Sequence, residues 1–242
     1  RGQPAVNLDK LIETIIRSSD LVIDYAEIKE LDINPVLDCP VEVIALDARI
    51  IVDKTVPPEK AKRYQHLVLR PYPEEFIRKV KMRDGTEITL RPIRPEDEPA
   101  WMELLGSCSQ ETIYSRFRYF FFWQSHEVAS RYCYIEYDRE INNVAELQEG
   151  NKRRLLGIGR LTADPSRSVA EYAVLVQDDW QNKGLGGLLT DYCTEIARAW
   201  GVKKILAYPT TDNPRMIAVF QKRNFEIRHD PASSLVEIQK NL

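Results

Sequence analysis

Between the apolar run Ala170 to Val176 and a long amphipathic segment lies Gln181-x-x-Gly184-x-Gly186-Gly187, with three glycines in four positions. Glycines at such a junction let the backbone approach an anion: successive amides turn inward as a nest, and the positive end of the following helix adds to the field. The spacing is not the GxxxxGK[ST] loop of nucleoside triphosphatases. Leu189 stands where a dinucleotide fingerprint needs its last small residue. A pyrophosphate suits the nest, and Lys183 adds a positive charge. Spacing alone leaves open a connection that binds nothing.

The preceding stretch, "SVAEYAVLVQ", alternates as a strand. One face carries Val169, Glu171, Ala173 and Leu175, and the other Ala170, Tyr172, Val174 and Val176. Glu171 is the only charge on either face. A carboxylate desolvated among apolar neighbours titrates high, as a general base working near neutral pH requires. The competing expectation is a glutamate paired across the sheet with an arginine such as Arg160. Downstream, Asn213 has two open readings, a polar contact to a bound ligand or, with Asp212, the N-cap of a helix opened by Pro214.

The elements that must hold these residues are legible around them. After the glycines, Leu185, Leu188, Leu189, Tyr192, Cys193, Ile196, Ala197 and Trp200 form the i, i+3, i+4, i+7 stripe of a helix packed on a sheet, with Gly201 as its C-cap. Cys193 lies on that stripe and reads as core. "KKILAYPT" is the next strand, Pro214 to about Arg223 a helix, and "FEIRHD" with "SLVEIQ" a closing hairpin about "PASS". Upstream, "GTEITLRPI" reads as a strand and "RPEDEPAWMELLGS" as a helix with acids at its start. Two further helical stretches cover residues 109 to 119 and 125 to 134. "INNVAEL" and "RRLLGIGRLTA" are strands joined by "QEGNK". One parallel crossover among hairpins predicts a mixed sheet.

Residues 1–56 form a smaller set: a helix through Leu8, Leu11, Ile12, Ile15 and Ile16, then strands in "EIKELDINPV" and "VEVIALDARIIV". Residues 57–80, with prolines at 57, 58, 71 and 73, read as a linker, and 81–242 as the main domain.

The 242-residue chain is 43% hydrophobic and 29% charged with a net charge of -3, ordinary globular composition lacking the basic field that dominates nucleic-acid affinity. "IYSRFRYFFFW" interleaves aromatics with Arg116 and Arg118, but in this acidic chain it is expected to wall a cleft and not to stack on single-stranded nucleic acid. No apolar run reaches the roughly 18 residues of a membrane span, and the start resembles no signal peptide, so a cytoplasmic protein is expected. The four cysteines form no CxxC pair and the three histidines are dispersed, so no metal site is expected. Glu136, Asp138 and Glu140 read as a solvated acidic turn or as groups that orient an acceptor.

Residues 81–242 resemble the GNAT acyltransferase superfamily, whose [QR]-x-x-G-x-[GA] signature is matched by Gln181, Gly184 and Gly186. "LRPIRPEDEPAW", "SRFRYFF", "IEYDREINNVAEL" and "AEYAVLVQDDWQNKGLG" are similar, in this order, to protein lysine acetyltransferases attached to ADP-forming acyl-CoA-synthetase-like modules. "RGQPAVNL" and "ELDINPV…VIALDARI" resemble the closing segment of their ATP-grasp domain. The resemblance implies an α/β GNAT fold, a mixed, mostly antiparallel sheet flanked by helices, preceded by an ATP-grasp remnant. It also implies acetyl-CoA as cosubstrate, contacted by Val174, Leu175 and Val176 along the strand, by Gln181, Asn182, Lys183, Gly184, Leu185, Gly186 and Gly187 in the loop, and by Asn213. It makes Glu171 the base that takes a proton from an acceptor lysine, with a bulge in the strand freeing an amide for the oxyanion. Phe220 stands where some members carry a tyrosine acid. Asn34 and Asp47 match magnesium ligands of an ATP-grasp site, most of which is missing. The implied acceptor is a protein, with AMP-forming acetyl-CoA synthetase leading. A non-catalytic CoA-sensing module, a subunit-contact fragment of an acyl-CoA ligase and a small-molecule amine acetyltransferase are the alternatives.

Overall fold

A computed structural model describes residues 7–55, 64, 67, 70–119, 121–229 and 234–242. The chain divides into two compact units, 1–71 and 72–242. The first carries helix α1 (Leu8–Asp24), started by the Asn7 side chain accepting from Lys10 N. Strands β1 (Ile28–Ile33) and β4 (Ala48–Val52) pair antiparallel, as do β2 (Val36–Asp38) and β3 (Val43–Ala45). The single strand expected from "VEVIALDARIIV" is thus broken at Leu46 and Asp47, which turn the chain between two small sheets. Among the described residues nothing covers the apolar stripe of α1: Leu8, Ile12, Ile15 and Ile16 are more than half exposed.

The second unit is built on an eight-stranded sheet in the order β11-β12-β10-β9-β8-β7-β6-β5. Its strands are β5 (Arg78–Lys81), β6 (Glu87–Pro92), β7 (Glu140–Glu149), β8 (Lys152–Ala163), β9 (Val169–Val176), β10 (Lys204–Ala207), β11 (Glu226–His229) and β12 (Val236–Asn241). Only the β9–β10 pair is parallel, so the sheet is mixed and mostly antiparallel. β5 begins inside the stretch read as linker, because "RKVK" pairs with β6 although its composition is charged. The "PASS" turn falls largely outside the described residues.

Two cores lie on opposite faces of this sheet. Helices α5 (Leu185–Ala199) and α6 (Pro214–Gln221) cover one face, where Leu185, Leu189, Cys193 and Ile196 are buried with Tyr172, Ile205 and Phe220. Each such aliphatic side chain contributes about 1.5–3 kcal/mol. Helices α2 (Glu98–Gly106), α3 (Gln110–Phe117) and α4 (His126–Cys133) accompany the other core, which gathers Trp101, Leu104, Ile113, Cys133, Ile158 and Leu175. Strand β6 is tied to the start of α2 by buried Arg91, which meets Asp97 bidentately at 2.6 and 2.7 Å and Glu146 at 2.6 Å.

Candidate active site

Strand β9 separates the two cores residue by residue. Tyr172 is buried against α5 and Phe220, while Leu175 packs with Trp101 and Leu104. Alternation therefore puts Glu171, Ala173 and Leu175 on the α2–α4 face. Glu171 is exposed, so the burial that the sequence suggested for it is missing. Arg160 is not its partner either. It pairs with Glu140 at 2.9 Å, a neighbour on β7, and lies over the Tyr132 ring. Across the strands, Glu140 faces Thr162 and Thr162 faces Glu171, so both carboxylates stand in one row on this face.

The β9–β10 ladder ends where Glu171 meets Leu206. On its other edge β9 stays paired with β8 in unbroken register from Ala170 to Val176. The expected bulge in β9 is absent; the sheet's bulge lies between β7 and β8, at Ala145 and Glu146. Gln177 donates its N–H to the Leu156 carbonyl, so alternation turns the N–H groups of Val174 and Val176 to the opposite edge, past the last β10 partner. Divergence of two parallel strands thus frees these amides without an inserted residue.

The glycine loop closes the end of this opening. Asn182 has φ 60° and Gly184 φ 91°, left-handed conformations that glycine adopts without strain. Gly184 is the N-cap of α5 with no side-chain bond over it, and the first intrahelical acceptor contact is Leu188 N to Gly184 O at 3.0 Å. The N–H groups of Leu185, Gly186 and Gly187 are therefore the uncapped first turn of a helix, an anion site by construction. A Cβ at Gly184 would stand in open space, and one at Gly186 would meet Val176 Cγ2 at 3.7 Å. An anion cradle open on its outer side, leading into a free strand edge, fits the pyrophosphate and extended arm of acetyl-CoA.

Other predicted contacts have different occupations. A Cβ on Gly187 would overlap the Arg223 guanidinium, whose Nε donates to Gly187 O at 3.0 Å and to Asp191 Oδ1 at 2.7 Å. Packing between α5 and α6 accounts for this glycine. The Leu185 and Leu175 side chains are core, leaving only their backbones to a ligand. Lys183 Nζ sits 4.7 Å over the Trp180 ring beside the loop. Gln181 is turned inward: its Nε2 donates to Val176 O at 3.1 Å and Thr112 Oγ1 at 3.0 Å. Asn213 Oδ1 accepts from Met216 N at 3.0 Å, the capping role. Phe220 is buried against Tyr172. Burial pushes the Cys193 thiol up to about 12, as suits a core residue.

Of the acidic turn, Asp138 pairs with Arg167 at 2.6 Å, Glu136 is exposed, and Glu140, on the cleft face, is committed to Arg160. Phe117 and Phe121 stack on each other and pack edge-on to Tyr132, as an internal wall. In the first unit Asn34 N donates to Asp47 O at 3.1 Å, bringing those two residues together. Among the described residues no group of three His, Cys, Asp or Glu is placed to hold a metal ion. No sequence signal pointed to Asp178, which holds the N-cap residue of α3, Ser109, or to Tyr208, a half-buried phenol at the end of β10. Burial raises the Tyr208 phenol, and the charges of Glu237 and Glu171 raise it further.

Residues 99–225 match the model of the acetyltransferase (GNAT) family, and residues 1–52 that of the ATP-grasp domain. The chain is similar to acetyltransferase PA5475 of Pseudomonas aeruginosa, 26% identical over 157 residues, 65% of this chain and 84% of that protein. Its first part is similar to the beta subunit of an ADP-forming acetate–CoA ligase of Pyrococcus furiosus, 40% identical over 52 residues, and spans only 22% of that subunit. The fold is similar to that of the GNAT domain of S. lividans PAT (TM-score 0.64, 23% identity, 71% of this chain and 100% of that one). It is also similar to that of spermidine N-acetyltransferase from Vibrio cholerae, solved with CoA and spermine (TM-score 0.52, 16% identity, 64% and 95%). No described helix is long and apolar enough to cross a membrane. With the family model covering more than half of its length, the chain belongs to the GNAT acetyltransferases, N-acetyltransferases whose acetyl donor is acetyl-CoA.

Proposed function

We propose that the chain is a protein lysine N-acetyltransferase working by direct attack, with Glu171 as the base and AMP-forming acetyl-CoA synthetase as the leading acceptor. The observation that carries this reading is the position of Glu171. It is an exposed carboxylate at the point where β9 and β10 part, on the face opposite the α5 packing layer. An acceptor amine can reach it from solvent, whereas the donor is read as lying along the strand opening with its pyrophosphate on the first turn of α5.

A free lysine titrates near 10.4 and arrives as an ammonium. Glu171, directly or through one water, takes its proton. The amine nitrogen then bonds the thioester carbonyl carbon, and the developing oxyanion is met by an N–H of Val174 or Val176. The C–S bond breaks, the nitrogen gives up its second proton to solvent, and the thiolate, a good leaving group with a pKa near 8.5, takes one from solvent. The buried Phe220 supplies no acid. Under this reading the sheet-bearing unit, 72–242, is the catalytic domain and 1–56 an ATP-grasp remnant, in a cytoplasmic protein.

The test is acetyl transfer to AMP-forming acetyl-CoA synthetase by wild type and Glu171→Gln, with acetyl-CoA affinity measured by calorimetry. The expected result is a fall in kcat of about 100-fold or more at unchanged affinity. Turnover unaffected by the substitution removes Glu171 from the mechanism. Wild-type binding without transfer to this acceptor, but with transfer to spermidine or another small amine, removes the protein acceptor.

A further inference from the structure

On the same face of the sheet, next to Glu171, the side chains of Arg116, Arg160, Asn142, Tyr132, Trp101 and Leu175 line a cavity of about 20 Å³, room for roughly one water. Two guanidiniums converge on it, and only one has a carboxylate. Arg160 has Glu140 at 2.9 Å. Arg116 has no carboxylate within ion-pair distance among the described residues. Its nearest recorded partner is the ring of Phe117, 4.9 Å from its guanidinium carbon. Burial pulls the Arg116 guanidinium down and the charge of Arg160 pulls it further, while Tyr132 and Glu171 oppose them.

A polar atom at the cavity is also unfinished. Arg160 Nε, a donor, is buried and makes no hydrogen bond among the described residues. A buried donor left unmade is costly, so one at the rim of a cavity calls for an acceptor there. The register explains how the lining side chains meet: Asn142 lies opposite Arg160, and Arg160 opposite Ala173, whose small side chain leaves the space clear. Arg116 arrives from α3, which packs over β9.

We propose that this cavity reads a carboxylate carried by one of the two substrates, with Arg116 as its principal partner and Arg160 Nε as a second donor. A carboxylate oxygen takes the place of the single water, and Arg116 gains a charge-assisted bond in a poorly solvated setting. The cavity reaches Leu175, between the two valines read as oxyanion donors. The carboxylate therefore sits a few bonds from the reacting carbon, either at the end of the acyl chain or beside the acceptor amine. The inference rests on the proposed reading of β9 as the transfer site and adds a specificity to it.

The experiment compares succinyl-CoA with butyryl-CoA, of equal chain length and without the charge, by calorimetry on the whole chain. In parallel, acetyl transfer is measured to lysine peptides in which the flanking residue is Asp or Asn. Both series are run on wild type, Arg116→Gln and Arg116→Lys, each checked for an unchanged melting transition. A preference of about tenfold or more for the charged member of either pair, lost in Arg116→Gln and partly kept in Arg116→Lys, is expected. The series that shows it identifies the source of the carboxylate. Equal treatment of both pairs, or a preference that survives Arg116→Gln, overturns the proposal. If acetyl transfer proceeds without any such preference, this inference fails while the lysine acetyltransferase reading stands. A succinyl-CoA preference in a chain that transfers nothing has the reverse meaning. If neither Arg116 variant keeps the wild-type melting transition, the wild-type comparison alone decides, since absence of both preferences there is already fatal.

Discussion

The carboxylate of Asp178 accepts both the N–H and the hydroxyl of Ser109, at 2.7 and 2.8 Å, and the hydroxyl of Thr112 at 2.9 Å. A residue just past β9 thereby holds the N-cap of helix α3, Ser109, and Gln181 binds the same Thr112 from the other side. The start of the glycine loop and the helix that carries Arg116 are thus one hydrogen-bonded assembly.

Asp178→Ala is expected to lower stability by about 1 kcal/mol, the usual net worth of a hydrogen bond, through the lost contacts to Ser109 and Thr112. The read-out is urea denaturation. Burial raises the Asp178 carboxyl, but the Ser109 and Thr112 donors outweigh it and its pKa is lowered overall. A depressed folded pKa gives stability that is complete above the unfolded value, about 3.9, and is lost as pH falls through the folded value. The difference between wild type and variant should therefore hold at neutral pH and shrink below about pH 4. A constant difference at all pH values speaks against these contacts.

Gly184 has φ 91°, so Gly184→Ala forces an L side chain into a left-handed backbone. Open space around the added methyl group removes any packing explanation. We expect a loss of about 1 kcal/mol in stability and weaker acetyl-CoA binding by calorimetry. Unchanged affinity would detach the loop from the donor.

Gly187→Ala places a methyl group where Arg223 now lies against the helix. The guanidinium must leave Gly187 O and Asp191, and the thermal transition should fall in proportion to about 1–3 kcal/mol. Arg223→Ala in the same background restores room for the methyl group. A double variant more stable than the sum of the single effects is the expected sign of this contact.

Asp97→Ala leaves the Arg91 guanidinium, 4% exposed, with Glu146 alone. Removing one partner of a buried ion pair costs about 3–5 kcal/mol. Denaturant titration should show a loss near that range, greater than for any surface pair such as Lys152–Glu103.

The local readings that held are those written in short-range periodicity. The α5 stripe buries Leu185, Leu189, Cys193 and Ile196 because residues three and four apart share one side of a helix. The alternation along β9 fixed which of its residues share a face. Gly184 at the N-cap, with Gly186 and Gly187 in the first turn, announced the start of α5. Misreadings arose where composition outweighed pairing: "RKVK" looked like linker yet forms β5, because a strand needs only a neighbour's backbone.

By itself, the sequence determined the strongly periodic elements of the second unit and the buried side of α5 and β9, since these follow from side chains a few residues apart. Tertiary structure alone decided that Arg160 takes Glu140 and not Glu171, that Glu171 stands exposed, and that β9 and β10 part without a bulge in β9. It alone left Arg116 beside a cavity with no carboxylate among the described residues. Such outcomes depend on cross-strand register and on helices packed from distant parts of the chain. A charge finds its partner by distance in space, and that distance is set only when the sheet has closed.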